Sequence, residues 1–144
     1  MIAEDWHKDH LNDDLWVEGT DKFLSLVKPD GLILDVGCGT GLKSRYFIQK
    51  GFKVEGIDFS EKMIEIAKRE VPQGKFQVLD LGEIERLRDT FDGIYMHAIL
   101  LHVSKSEIQE ILTIIKNKLN TGGYLYMANK EKLPEEKGEK IVAE

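Results

Sequence analysis

The stretch Leu32-Ile33-Leu34-Asp35-Val36-Gly37-Cys38-Gly39-Thr40-Gly41 decides how the rest of the chain is read. Its first five residues make a mostly apolar run of strand length, bounded by Pro29-Asp30-Gly31 before it and by three glycines after it. Glycines in such a place permit unusual backbone angles and let a ligand come close to the main chain. Beyond them Leu42, Tyr46 and Phe47 recur at helical spacing until Gly51, which reads as a helix stop. A strand that turns through glycines into a helix opens an alternating strand and helix chain, and the next elements decide whether it continues.

It does continue. Residues 53–57 read as a second strand, and Ser60 with Glu61 opens a helix carrying Met63, Ile64 and Ala67 until Val71-Pro72. Residues 75–79 and 91–97 read as strands three and four, separated by a charged segment, 82–89, that predicts a short helix. Ser104 and Glu107 have the spacing of a capping box, and Ile108, Ile111, Leu112, Ile115 and Leu119 keep one apolar stripe up to 120–123. Residues 123–128 then make a fifth strand. Upstream, Leu15, Phe23, Leu24 and Val27 predict a helix over about 13–28. The expectation is an α/β, Rossmann-like doubly wound sheet of five parallel strands with helices on both faces. Ligands of such sheets sit beyond the carboxyl ends of the strands, where the strand order reverses.

The 144 residues suit one domain, expected over 1–129, with residues 1–28, including Trp6 and Trp16, as an N-terminal helical lid. Eight of the eleven residues from Lys130 to Lys140 are charged, so 130–144 reads as a solvated tail. An apolar share of 42% against 32% charged residues excludes a disordered or collagen-like chain. A formal charge of -6 argues against a nucleic-acid partner. No apolar run reaches membrane-spanning length and the first residues lack a cationic flank, so a cytoplasmic protein without a membrane partner is expected. Cys38 is the only cysteine, which rules out an internal disulfide and a cysteine-based zinc site. His7 and His10 lack a supporting carboxylate cluster, and no metal is assigned.

The loop itself narrows the ligand. A nicotinamide fingerprint needs glycine three places after Gly39, where this chain has Leu42, and Asp35 would set a carboxylate near a pyrophosphate. A ligand carrying both signs fits better. S-adenosylmethionine has an ammonium and a sulfonium for the acid to face, and a carboxylate for helix-end amides.

Residues 34–41 resemble the first motif of the class I S-adenosylmethionine-dependent methyltransferases, of the small-molecule type. Later landmarks fall in that family's order: Gly56-Ile57-Asp58-Phe59-Ser60, Val78-Leu79-Asp80, the region from Phe91-Asp92 to Val103, and Leu119-Asn120-Thr121-Gly122-Gly123. Asp35, Gly37, Cys38, Gly39, Gly41 and Met96 are expected to line the cofactor. Asp58, at the end of strand two, can accept both ribose hydroxyls, although with Ser60 it could equally cap the next helix. Asp80 resembles the family's acceptor for the adenine amine, with Leu81 beside it, while an acid before Gly82 is also an ordinary turn residue. Phe59 and Met63 could sandwich the adenine, and Met63 could equally be core. Cys38 reads as a residue that fits the loop rather than a nucleophile. His97 and His102 flank the end of strand four near the expected methyl donor, as general-base candidates or as ordinary packed histidines.

The implied reaction is direct displacement of the methyl group onto a small-molecule acceptor, with S-adenosylhomocysteine as product. Competing readings are a non-catalytic cofactor-binding or interaction module, a truncated methyltransferase domain, and a nicotinamide oxidoreductase, which Leu42 and Asp35 oppose. Met96-His97-Ala98-Ile99 lacks the Asn-Pro-Pro-Tyr pattern of amino methylation of bases, and no Pro-Cys pair marks a cytosine C5 enzyme. The family fold usually adds a helix and an antiparallel strand pair after strand five. Only sixteen, mostly charged residues follow Ala128, so that pair is expected to be missing. Strand five would then expose an edge on which a second copy could add to form a homodimer.

Overall fold

The stretch Leu32–Val36 forms the strand β1, with Ile33 and Leu34 completely buried on opposite faces, as its mostly apolar run requires. The computed structural model describes residues 15–97, 104–128 and 139–143. Helix α1, Leu15–Leu26, precedes β1; α2, Leu42–Gln49, β2, Lys53–Asp58, and α3, Glu61–Glu70, follow it. Strand β3, Lys75–Val78, leads through a 3-10 turn at Leu81–Arg86 to β4, Phe91–His97. Helix α4, Lys105–Asn117, strand β5, Leu119–Ala128, and strand β6, Glu139–Ala143, complete the order. The sheet runs β3-β2-β1-β4-β5-β6, with β1 to β5 parallel. The chain steps outward from β1 to β3 and returns to β4 on the other side of β1. Strand order therefore reverses between β1 and β4.

Alternation along the strands sorts the core into two layers. On one face Ile33, Val54, Tyr95 and Tyr126 pack with Phe23, Leu24 and Val27 of α1 and Phe47 of α2. On the other, Leu34, Val36, Ile57, Ile94, Met96 and Leu125 pack with Ile84, Leu87 and Ile115. Helix α3 lays Ile64 and Ala67 on Phe76 and Cys38. Gly56 is what admits the Phe76 ring, since a Cβ there would sit 2.6 Å from it.

Helix α1 belongs to the core. Phe23 packs over Gly93, the Thr20 hydroxyl lies 2.9 Å from the Tyr95 hydroxyl, and Tyr95 stacks on Tyr126 at 4.6 Å. A covering segment would therefore have to come from residues before Leu15. These, with Trp6, His7 and His10, lie outside the described residues.

Two expectations about the far edge are corrected. Strand β5 begins at Leu119 rather than Gly123, because its register against β4 shifts between Phe91 and Gly93 and takes up the turn residues. Nor is the edge of β5 open, or the tail wholly without structure. β6 pairs antiparallel along β5 from Tyr124↔Ala143 to Ala128↔Glu139, which removes the argument for a second copy adding there. One antiparallel strand of the expected missing pair is thus present. Charged residues had marked this segment as solvated, but an outermost strand tolerates charge and commonly carries it.

Candidate functional site

The site begins where β1 ends. Gly37, Gly39 and Gly41 all have positive φ, at 73°, 55° and 90°, a region costly for any residue with a Cβ. These turns aim the loop amides back into the chain. Gly37 and Cys38 both donate to the Ile57 carbonyl, at 2.8 and 2.9 Å, and Gly41 donates to the Cys38 carbonyl at 3.0 Å. The Gly39 N–H donates to Asp58 Oδ2 at 3.0 Å. The loop is lashed to the tip of β2 by its own backbone.

Asp58 is the centre of this arrangement. Its Oδ1 accepts the Ser60 N–H at 2.9 Å, while the Ser60 hydroxyl caps α3 by accepting from the Met63 N–H at 3.3 Å. Each carboxylate oxygen has two lone pairs, so each keeps one for a ligand. Phe59, the next residue, is 79% exposed, and Val78, opposite Asp58 in the β2–β3 register, is exposed as well. Met63 is half-buried on the first turn of α3. An acid flanked by uncovered apolar surface suits a ligand with one polar edge and one flat apolar face.

Asp35 is only 2% exposed and accepts the Ser44 hydroxyl at 2.6 Å, beneath the start of α2. Burial pushes its pKa up to about 6, with Ser44 and Lys43 opposing the rise. It therefore stitches β1 to α2 instead of standing open in the cleft. Cys38 is buried, and burial with the nearby acids Asp35 and Asp58 drives its thiol pKa far upward, so it fits the loop and is no nucleophile. Sequence reasoning passed over Ser44 and Lys43; their signal is their place on the first turn after a glycine loop.

At the tip of β3, exposed Asp80 caps the 3-10 turn. Its side chain accepts the Leu81 N–H at 2.7 Å, and the Glu83 carboxylate accepts the Asp80 N–H at 3.1 Å. The turn reading of Asp80 is thus present in the structure, with lone pairs left over. Leu81 is half-buried beside it. Met96 is 1% exposed, packed inside the layer under α4. Its position at the end of a central strand, where every side chain is enclosed, explains this. His97 closes β4, but its side chain and the whole of His102 lie outside the described residues. Among the described residues no cluster of three or more His, Cys, Asp or Glu could hold a metal, and no helix is long and apolar enough to cross a membrane.

The strand tips thus gather a glycine loop, two carboxylates with lone pairs to spare, Asp58 and Asp80, a third, Asp35, buried beneath them, and the exposed aromatic Phe59. Residues 33–123 match the methyltransferase domain family. An uncharacterized methyltransferase of Alkaliphilus oremlandii is 32% identical over 107 residues, which are 71% of this chain and 47% of the relative. A ubiquinone biosynthesis O-methyltransferase of Pelagibacter ubique is 31% identical over 128 residues, 87% of this chain and 51% of the relative. A solved S-adenosylmethionine-dependent methyltransferase of Mesorhizobium loti shares 26% identity at a TM-score of 0.65, covering 77% of this chain and 53% of that one. The chain spans about half the length of the curated relatives it matches. It belongs to the methyltransferase domain family, with the class I fold whose cofactor is S-adenosylmethionine.

Proposed function

We propose that this chain binds S-adenosylmethionine across the tips of β1, β2 and β3 and directs its methyl group to a small-molecule acceptor. The observation that carries the reading is Asp58, fixed by the Gly39 and Ser60 amides beside an uncovered Phe59. When bound, the cofactor supplies an activated sulfonium methyl group, so the protein's work is alignment and exclusion of water.

In this reading Asp58 accepts the two ribose hydroxyls with its remaining lone pairs. Phe59 and Met63 give the base its apolar faces, and Leu81 adds a wall. Asp80 accepts from the exocyclic amine while continuing to cap its turn. Buried Asp35 keeps the potential under the loop negative, which favours a cation above it. His97 and His102 are the candidates for a general base, needed only where the acceptor does not give up its proton readily. Acceptor hydroxyls are the first class to screen, because one relative is named an O-methyltransferase.

Titration calorimetry of the chain with S-adenosylhomocysteine tests the cofactor site, with saturable uptake expected at micromolar concentration. Absence of uptake at millimolar concentration from folded protein overturns the reading. Methyl release across hydroxyl and amine acceptors tests the transfer.

A further inference from the structure

We infer that Glu83 is a positioning residue for base recognition: it holds Asp80 in place for the exocyclic amine and so makes the site prefer a 6-amino purine over a 6-oxo one. The assignment rests on the methyltransferase reading above. Asp80 is exposed, and an exposed aspartate on an unbraced loop samples several rotamers, few of which serve a ligand. Selectivity for one edge of a base therefore needs neighbours that lock the acid.

Such neighbours stand on both sides of Asp80. Before it, the Leu79 N–H donates to the Asp58 carbonyl at 3.0 Å, which joins the acid read as the ribose acceptor to the acid read as the amine acceptor. After it, Glu83 Oε1 accepts the Asp80 N–H at 3.1 Å, and the Glu83 N–H donates back to the Asp80 carbonyl at 2.9 Å, within a capping box. The backbone of Asp80 is thereby kept extended, at φ -82° and ψ 155°, with its carboxylate on the Leu81 N–H at 2.7 Å.

Glu83 is itself held. Its Oε2 meets Arg86 Nη1 at 2.5 Å, one turn along. The Asp80 amide first, and Arg86 second, keep its carboxyl below the usual carboxylate value, so it stays an acceptor at neutral pH. An ion pair this exposed adds little to folding. Its effect is on orientation: with one oxygen on Arg86, the other faces the Asp80 amide. Between the two, Ile84 is fully buried and anchors the turn in the layer that also holds Ile57 and Ile94.

A fixed carboxylate accepts from the amine of adenine, but it meets the carbonyl oxygen of hypoxanthine with like charge and no proton to share. A loose side chain would turn instead to the ring N–H of hypoxanthine or to water. Rejection of the wrong base is therefore strong only where the acid cannot turn away.

The test is titration calorimetry of wild type, Glu83→Ala and Glu83→Gln with two probes. 5′-Methylthioadenosine carries the amine, and 5′-methylthioinosine is the same nucleoside with a carbonyl in its place. Wild type is expected to bind the adenosine probe more than about tenfold tighter. Glu83→Ala is expected to narrow that preference at least about threefold, through weaker binding of the adenosine probe alone. Glu83→Gln keeps an oxygen for the Asp80 N–H and is expected to hold the preference within about twofold of wild type. A full preference in Glu83→Ala, equal weakening of both probes, or a Glu83→Gln as unselective as Glu83→Ala overturns the assignment and leaves the cofactor reading standing. So does wild-type protein that binds both probes equally. Wild-type protein that takes up neither probe nor S-adenosylhomocysteine overturns both.

Discussion

The Asp58 carboxylate accepts the Gly39 N–H at 3.0 Å, so one side chain at the tip of β2 shapes the loop at the tip of β1. Asp58→Ala is expected to lower stability by about 1–3 kcal/mol, because the Gly39 and Ser60 amides lose their acceptor, and to weaken S-adenosylhomocysteine more than tenfold. Urea unfolding and calorimetry measure the two effects separately. Affinity equal to wild type would remove Asp58 from the ligand site.

Phe59 offers the opposite combination. At 79% exposure it adds little to folding, so Phe59→Ala is expected to change stability by less than about 0.5 kcal/mol. Stacking of a base on an aromatic ring is worth about 1–3 kcal/mol, so the same variant should bind methylthioadenosine at least about fivefold more weakly. Unchanged affinity for this adenosine probe would show that Phe59 does not face the base.

Two glycines with similar backbone angles separate strain from crowding. Gly122 has φ 82° and nothing within 4 Å of an added Cβ, whereas Gly41 has φ 90° and Val71 Cγ2 at 2.9 Å. Alanine at 122 is expected to cost about 1 kcal/mol from backbone strain alone. Alanine at 41 is expected to cost about 1–3 kcal/mol more, from overpacking against α3. Equal melting temperatures for the two variants would contradict the packing around the loop.

Glu55, 6% exposed on β2, shares a hydrogen bond with Asp89, with Lys75 nearby. Burial first, then Asp89, raises its pKa from 4.5 to about 7, while the same hydrogen bond lowers that of Asp89. The folded chain thus keeps a proton on Glu55 that the unfolded chain releases near pH 4.5. Its contribution to stability is complete below that value and is lost as pH rises through about 7. Glu55→Gln keeps the donor at every pH. It is expected to melt a few degrees above wild type at pH 8 and close to it at pH 5. Asp35, raised to about 6, bends both curves alike and cancels in the comparison. A constant difference across this range would refute the shared proton.

The parallel core was legible because its information is local. Leu32–Val36 is buried on both faces and reads as apolar sequence interrupted only by Asp35, and Ser60 announces α3 by the cap it makes. That Asp58 closes β2 was legible from the pattern of its neighbours. What stayed hidden depended on partners distant in sequence. Glu139–Ala143 looks like a charged tail until β5 provides a neighbour, and the burial of Met96 depends on the layer under α4. Asp80 has its capping partner only three residues away, yet the same acid serves either a turn or a ligand, and composition does not choose between them.

The double claim of Gly37 and Cys38 on the Ile57 carbonyl fixes the rim of the cleft before any visitor arrives. The ordering cost of that rim is met during folding, so encounter requires little rearrangement. Differences in grip among variants of the strand tips will then appear in how long a nucleoside stays, and hardly in how fast it lands.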